Sequence, residues 1–115
     1  MNRKEEKMLE YMEDLLTKIE NRTKTILKDR IKEVKILNGR ILKVGDIYLE
    51  IYKMKYDGEE WEILYGIDAD VIIDIIDDGK LLREHAAGFE GEIKVKMNFE
   101  EKSIYVNFKD TDLII

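Results

Sequence analysis

The sequence predicts an α+β fold in which a long N-terminal helix packs on a mostly antiparallel sheet of about six strands. Three features support this fold class. Apolar residues recur at three- and four-residue steps through the first thirty positions, alternating apolar and polar segments follow around short turns, and a short segment with helix-type ends interrupts them near residues 68–87. A length of 115 residues fits one domain, which we expect to span residues 1–115.

Residues 1–32 form the predicted helix. Its apolar stripe consists of Met8, Leu9, Met12, Leu15, Leu16 and Ile19 and resumes at Ile26, Leu27 and Ile31. The polar stretch 21–25 interrupts this stripe, so the alternative is a helix that breaks at Asn21 and lays both halves on the sheet. An unbroken helix of about 40 Å is longer than a domain of this size needs to cover itself. Part of it is therefore expected to pack on a second copy of the chain.

Residues 33–66 are expected to form strands joined by tight turns. Asn38-Gly39 lies between the β-rich segments 34–37 and 40–44 and is a strong hairpin signal, because both turn residues must take positive φ. Gly45-Asp46 predicts a second turn directly afterwards. Together with a third turn at Asp57-Gly58, these turns would divide the region into four antiparallel strands.

Two hairpins can be tested by their register. With Asp57-Gly58 as a two-residue loop, Met54 faces Trp61 and Tyr52 faces Ile63, while the other face carries the charge pairs Lys55–Glu60 and Lys53–Glu62. Residues 91–109 form the C-terminal hairpin. A loop of residues 100–103 places its apolar pairs on one side, namely Phe99 with Ile104, Met97 with Val106 and Val95 with Phe108. The tail after Thr111 either adds an edge strand or docks elsewhere.

Residues 67–90 are open to two interpretations. Their many Val and Ile residues are typical of a strand, but Asp68 and Asp70 suit the start of a helix and Gly79 suits its end. We expect a helical excursion here, with short helices at 69–77 and 80–87.

Composition excludes several classes of protein. The absence of Cys excludes disulfides and Cys-based zinc sites, and no apolar run approaches the roughly 20 residues of a membrane span. The charged first residues do not form a signal peptide, so a cytoplasmic location is expected. The chain is rich in Ile, Lys and Glu and has no Gln, a composition that thermophiles and AT-rich genomes share.

Charge is distributed unevenly along a chain whose net charge is −6. Residues 17–35 carry seven basic and three acidic side chains, whereas residues 57–92 carry twelve acidic and two basic ones. A chain polarised in this way can associate head to tail or bind a partner through its acidic half, although a solvated surface would show the same pattern.

Five of the aromatic residues fall within eighteen positions: Tyr48, Tyr52, Tyr56, Trp61 and Tyr65. The expected register points all five to one face, where with Met12 and Ile19 they would form an interaction surface. The alternative is that they form the core beneath the helix. Stacking on nucleic-acid bases is disfavoured beside so acidic a segment, because attraction to phosphates supplies most of such affinity.

A metal site is the alternative that the carboxylates offer. Asp70, Asp74, Asp77 and Asp78 would share one side of the predicted helix, close to Asp68, and Mg²⁺ or Ca²⁺ would relieve their repulsion. Glu92 and Lys94 resemble the carboxylate–lysine pair of metal-dependent nucleases, although any alternating charged strand produces this spacing. The segment matches neither an EF-hand nor a phosphate-binding loop, and nothing brings the single His85 and Ser103 together as a catalytic pair.

These observations favour a small acidic, non-enzymatic protein-interaction module that forms a homodimer or larger homo-oligomer. It would act as an inhibitor or adaptor on an unidentified protein through its acidic face, and a mimic of nucleic-acid phosphates is a narrower version of the same idea. We expect no catalytic residue and no cofactor, and neither nucleic acid nor membrane as a partner. The alternative is a hydrolase or nuclease that holds a divalent metal at Asp70, Asp74, Asp78 and Glu92.

Overall fold

The computed structural model describes residues 3–98 and 100–115, except for the side chains of Met8 and Leu9. Its elements follow in the order α1 (Arg3–Lys32), β1 (Gly39–Tyr56), β2 (Glu60–Asp77), β3 (Lys80–Asn98) and β4 (Ser103–Ile114). The predicted α+β class is confirmed, with one long N-terminal helix and an open antiparallel sheet. The helix continues unbroken through residues 21–25. The expected pairing of Phe99 lies outside the described residues.

The sheet has four strands, not the expected six, and each strand pairs with the next one along the chain. The first three strands contain 18, 18 and 19 residues. At about 3.3 Å per residue such strands run for roughly 60 Å, and the molecule measures 62 × 26 × 19 Å. Its radius of gyration is 17.2 Å, against the roughly 13 Å typical of a compact chain of this length.

Two expected turns do not separate strands, which explains the lower strand number. Asn38 takes a φ of 59°, as a tight turn requires, but this turn joins the end of the helix to β1. Residues 34–37 contribute only the isolated bridge between Ile36 and Gly39. Gly45-Asp46 lies inside β1, where the register shifts between Val44 and Ile47. This is a β-bulge, a common position for glycine within a strand.

The predicted helical excursion at 68–87 is wrong, because this segment forms the end of β2 and the start of β3. Asp77 pairs with Lys80 across a two-residue turn in which Asp78 has a φ of 49° and Gly79 a φ of 75°. Positive φ at both central residues is the requirement of a type I′ hairpin turn, for which Asp-Gly is a preferred sequence. Gly79, which was expected to end a helix, is therefore the second central residue of a hairpin turn.

The other two hairpins form where they were expected, with registers displaced by two residues. Tyr56 faces Trp61 and Met54 faces Ile63, and Val95 faces Val106 at the C-terminal hairpin. A displacement of two keeps the paired side chains next to these turns on their expected faces. In both turns a side-chain oxygen accepts two backbone N–H groups: Asp57 Oδ1 from Glu59 and Glu60, and Asn98 Oδ1 from Glu100 and Glu101. These local bonds favour four-residue connections.

The core lies between the helix and one face of the sheet, which we call the inner face. Ile19, Thr23, Leu27 and Ile31 form a fully buried ridge at four-residue spacing. The central strand β2 contributes every second residue, namely Ile63, Tyr65, Ile67, Ala69, Val71, Ile73 and Ile75. No helix in the described ranges has the length and apolar character that crossing a membrane requires.

Two hydroxyl groups inside this core lack a hydrogen-bond partner among the described residues: Thr23 Oγ1 and the phenolic oxygen of Tyr65. A buried hydroxyl without a partner costs about 1–3 kcal/mol of stability. Thr23 lies on the buried ridge of the helix, and Tyr65 lies on β2. The apolar contact between helix and sheet therefore outweighs two unsatisfied polar atoms.

We expect the substitution Thr23→Val to stabilise the protein by about 1 kcal/mol, because it keeps the shape of the side chain and removes the unsatisfied hydroxyl. Chemical denaturation followed by circular dichroism measures the change. Thr25→Val is the matched control, since Thr25 is exposed and its hydroxyl donates to the carbonyl oxygen of Asn21 at 3.1 Å. A loss of stability in Thr23→Val that exceeds the loss in the control would contradict this account of the core.

Candidate functional site

The second face of the sheet, the outer face, is not covered by any element in the described part of the chain. Among the described residues the helix is the single element outside the sheet, and its buried ridge packs on the inner face. Along β2 the outward positions alternate with the buried ones, and Asp68 and Asp70 are exposed there. A large face that remains in contact with water must be polar, and here it is highly charged.

Six carboxylates without an intervening base occupy two adjacent cross-strand rows of the outer face. In one row Asp68 pairs with Glu90, which pairs with Asp112. In the next row Gly66 lies between Glu50 and Glu92, and Glu92 pairs with Asp110. We call this set the acidic patch; its members are Glu50, Asp68, Glu90, Glu92, Asp110 and Asp112.

The basic patch adjoins it along the strands. The next two rows contain Lys53 and Lys94 on either side of Leu64, then Lys55 and Lys96 on either side of Glu62. Lys109 lies beside them, in a depression that Lys53 and Lys94 also line. The basic patch consists of Lys53, Lys55, Lys94, Lys96 and Lys109, with Glu62 as its single acidic neighbour in these rows. These four rows of the outer face thus divide into an acidic and a basic patch.

The boundary between the patches coincides with irregularities in both edge strands. The register of β1 shifts between Ile51 and Lys53, and the pairing of β3 with β4 shifts at Glu92, leaving Lys109 as the extra residue of β4. Bulges at the same level bend both edges of a sheet and increase its twist. A bulge also changes the face that the following residues occupy. Because of the bulge in β1, the consecutive residues Tyr52 and Lys53 both lie on the outer face.

Two glycines line the depression in the acidic patch. Gly66 and Gly91 contribute to a broad depression of about 860 Å³, which the carboxylates of the patch also line together with Tyr48 and Tyr52. The ring of Tyr52 lies over Gly66, where a Cβ atom would overlap the phenol group. A Cβ on Gly91 would overlap the backbone of Asp110 and Thr111. Both positions therefore require the smallest residue, because the Tyr52 ring occupies the space over Gly66 and the β4 backbone lies against Gly91.

The electrostatics of the two patches differ. No member of the acidic patch forms an ion pair within the described residues, and like charges directly opposite each other destabilise a sheet. In the basic patch Lys94 Nζ lies 3.3 Å from Glu62 Oε1. This hydrogen bond lowers the pKa of Glu62 below its ordinary value, helped by the charges of Lys94, Lys55 and Lys96. Among the described residues, the carboxylates of the acidic patch have no ion pair of this kind.

The five aromatic residues of the predicted interaction surface do not share a face. Tyr48 and Tyr52 line the outer depression and are more than half exposed. Tyr56 pairs with Trp61 on the other side, with ring centroids 4.9 Å apart, and Tyr65 is buried in the core. The bulge between Ile51 and Lys53 causes this division. Only the first two tyrosines therefore border the charged face.

The two helix residues of the same prediction line one apolar groove together with Trp61, on the inner side of the sheet. Ile19 is buried there, whereas Met12 is 40% exposed. Toward its N-terminus the helix is exposed wherever its side chains are described, and Tyr11 is 70% exposed. The first turns of the helix thus project beyond the core, as an overlong helix was expected to do.

The carboxylates of the metal alternative lie along an extended strand and its turn. Asp70 is exposed on β2, and Asp78 is in the turn. Asp74 Oδ1 accepts a hydrogen bond from the backbone N–H of Glu84 at 2.8 Å. Asp74 Oδ2 lies 3.6 Å from Arg40 Nη2. Glu92 belongs to the acidic patch. Across residues 3–98 and 100–115, no three acidic or histidine side chains are arranged to hold a metal ion.

The sequence patterns had not indicated the acidic patch as a unit, because its members come from four strands. One local signal could have done so. The outward positions of β3 are Glu90, Glu92, Lys94 and Lys96, so the sign of the charge changes once along the strand. Comparisons with models of protein families, with curated proteins and with solved structures find no match.

Burial raises the pKa of the Tyr65 hydroxyl from 10.0 to about 12, and the negative charge of Glu20 adds to this effect. The unfolded chain loses this proton near pH 10 and the folded chain near pH 12. Between these values the unfolded state binds fewer protons, so the free energy of unfolding falls as pH rises. We expect ultraviolet titration to show one late-ionising tyrosine that Tyr65→Phe removes. Tyr105→Phe is the exposed control, and loss of the same late step in it would contradict the assignment.

Neutralising the centre of the acidic patch should stabilise the fold. Glu90 lies between Asp68 and Asp112, so we expect Glu90→Gln to gain about 0.5 kcal/mol at low ionic strength. The gain should shrink as salt screens the wild-type repulsion. Thermal unfolding of dilute protein at low and high salt measures both effects. Glu100→Gln, an exposed turn residue, should change neither value, and equal gains in the two variants would contradict the row arrangement.

Proposed function

We propose that the protein is a non-enzymatic protein-binding module whose binding site is the outer face of the sheet. The observation that carries this proposal is the acidic patch: six carboxylates in two rows, without a compensating base, around an open depression. Uncompensated charge costs stability in the free molecule. A partner that supplies the opposite charge removes that cost and gains affinity from it.

The surroundings of the patch support a macromolecular partner. Tyr48 and Tyr52 border the depression, and tyrosine is enriched in the residues that dominate binding energy at protein interfaces. The depression is wide and shallow, which suits a protein surface better than an enclosed small molecule. A phosphate backbone would be repelled by the carboxylates. The expected partner surface is therefore basic and belongs to a protein.

A labelled oligolysine peptide is a suitable probe of the patch, with fluorescence anisotropy as the measurement. We expect binding that weakens as salt is raised, because exposed charges supply the attraction. The double variant Glu90→Lys and Asp112→Lys should weaken binding by about tenfold or more, equivalent to at least about 1.4 kcal/mol.

The matched control for this experiment reverses two exposed charges on the helix, Glu10→Lys and Glu13→Lys. It changes the net charge by the same amount but leaves the outer face intact, so we expect a much smaller effect on peptide binding. Equal losses of affinity in the two double variants would mean that net charge alone attracts the probe, and the proposed site would be refuted.

A further inference from the structure

We propose that the partner of the outer face is a second copy of this chain, stacked face to face with its strands antiparallel to those of the first. This inference rests on the proposed function, since it uses the same face and names its partner. The basic surface that the acidic patch requires is present on the molecule itself, as the adjoining basic patch. Two copies can therefore neutralise each other.

The charge order along β3 is self-complementary. Its outward residues are two glutamates followed by two lysines, Glu90, Glu92, Lys94 and Lys96. When such a strand is turned end to end over an identical strand, each glutamate meets a lysine. Glu92 then lies over Lys94 of the partner subunit, and Glu90 over Lys96 of the partner subunit. Parallel stacking would instead place like charges over each other.

The edge strand β1 repeats this order at the same level. Glu50 lies on the acidic side of the boundary, with Lys53 and Lys55 on the basic side. A two-fold axis that runs across the strands at this boundary stacks each strand over its own copy and matches opposite charges on β1 and β3, and the resulting interface is isologous.

The other two strands add no pairs of opposite charge. On β4, Lys109 lies at the boundary itself, and the rows of Lys94 and Lys96 contain Asn107 and Tyr105. On β2, the axis brings Asp68 over Glu62 of the partner subunit. The charge pairs of β1 and β3 therefore carry the association.

The size of the face determines how strong the association should be. The four rows from Asp68 to Glu62, at about 6.6 Å each, cover about 26 Å along strands that lie about 4.8 Å apart, or roughly 500 Å² on each copy. Two such faces bury about 1,000 Å², which is at the low end for specific interfaces. The expected dimer is therefore weak, and it dissociates when salt screens its charge pairs.

A reciprocal charge exchange tests the proposal. One variant carries Glu90→Lys and Glu92→Lys, so that its outward β3 positions are all basic. The other carries Lys94→Glu and Lys96→Glu, so that they are all acidic. Sedimentation equilibrium at low salt and high protein concentration measures the mass of each protein alone and of the equimolar mixture, and circular dichroism confirms that both variants are folded.

For the wild type we expect association toward twice the monomer mass of 13.7 kDa, reversed by salt. Each variant alone should be monomeric, and mixing them should restore the dimer, because the antiparallel arrangement brings the introduced lysines over the introduced glutamates. A variant that merely unfolds cannot produce this rescue. If either variant fails to fold, two neutral double variants replace them. One carries Glu90→Gln and Glu92→Gln, the other carries Lys94→Gln and Lys96→Gln, and each of them must abolish the dimer.

Three results would overturn the inference: a wild-type protein that stays monomeric, a mixture that does not associate, or assembly that continues beyond the dimer and is lost in Arg22→Glu on the helix. The last result would indicate head-to-tail contact between the basic helix and the acidic patch. A monomeric wild type whose oligolysine binding still depends on Glu90 and Asp112 would refute self-association alone. A monomeric wild type whose oligolysine binding does not depend on Glu90 and Asp112 would refute the proposed function as well.

Discussion

The structure depends on one constraint: a two-faced sheet is accompanied by a single helix. The ridge of Ile19, Thr23, Leu27 and Ile31 covers the inner face and packs on the alternate apolar residues of β2 that lie on that face. The stability gained from this contact outweighs the cost of two buried hydroxyls, of Thr23 and Tyr65, that have no hydrogen-bond partner among the described residues. No second helix is present among the described residues to cover the outer face, which must therefore interact with water. Its residues alternate with those of the core, so the strands combine apolar residues for the core with polar residues for the face in contact with water.

Charge on the outer face could have been mixed, and its separation into two patches is what distinguishes this sheet. Random alternation of Lys and Glu would have satisfied solubility and provided favourable cross-strand pairs. Instead, Asp68, Glu90 and Asp112 lie in one row, beside a second row that contains Glu92 and Asp110. An arrangement that costs stability in the free protein is the reason to assign a binding role to this face.

Side-chain alternation allowed the faces of the hairpins to be predicted but not their registers. A slip of two residues leaves Met54 and Trp61 on the inner side, so the apolar pattern cannot detect it. The deciding interactions are local bonds of Asp57 and Asn98 within the turns. Bulges are equally invisible to a simple alternation rule, because an extra residue reverses the faces beyond it. This is why Tyr48 and Tyr65, expected on one surface, occupy opposite sides of the sheet.

The acidic patch as a whole could not be predicted from the sequence for a related reason, although the single change of charge along β3 was a partial signal. Asp68 and Asp70 were assigned to the start of a helix because carboxylates suit that position locally, yet in the structure they are the outward residues of a strand whose other side is Val71, Ile73 and their neighbours. Local preference and tertiary pairing compete in such a segment, and the type I′ turn at Asp78-Gly79 decides for pairing by closing the hairpin. Once β2 and β3 are joined, Asp68 lies beside Glu90, and charges that seemed unrelated in sequence form one surface.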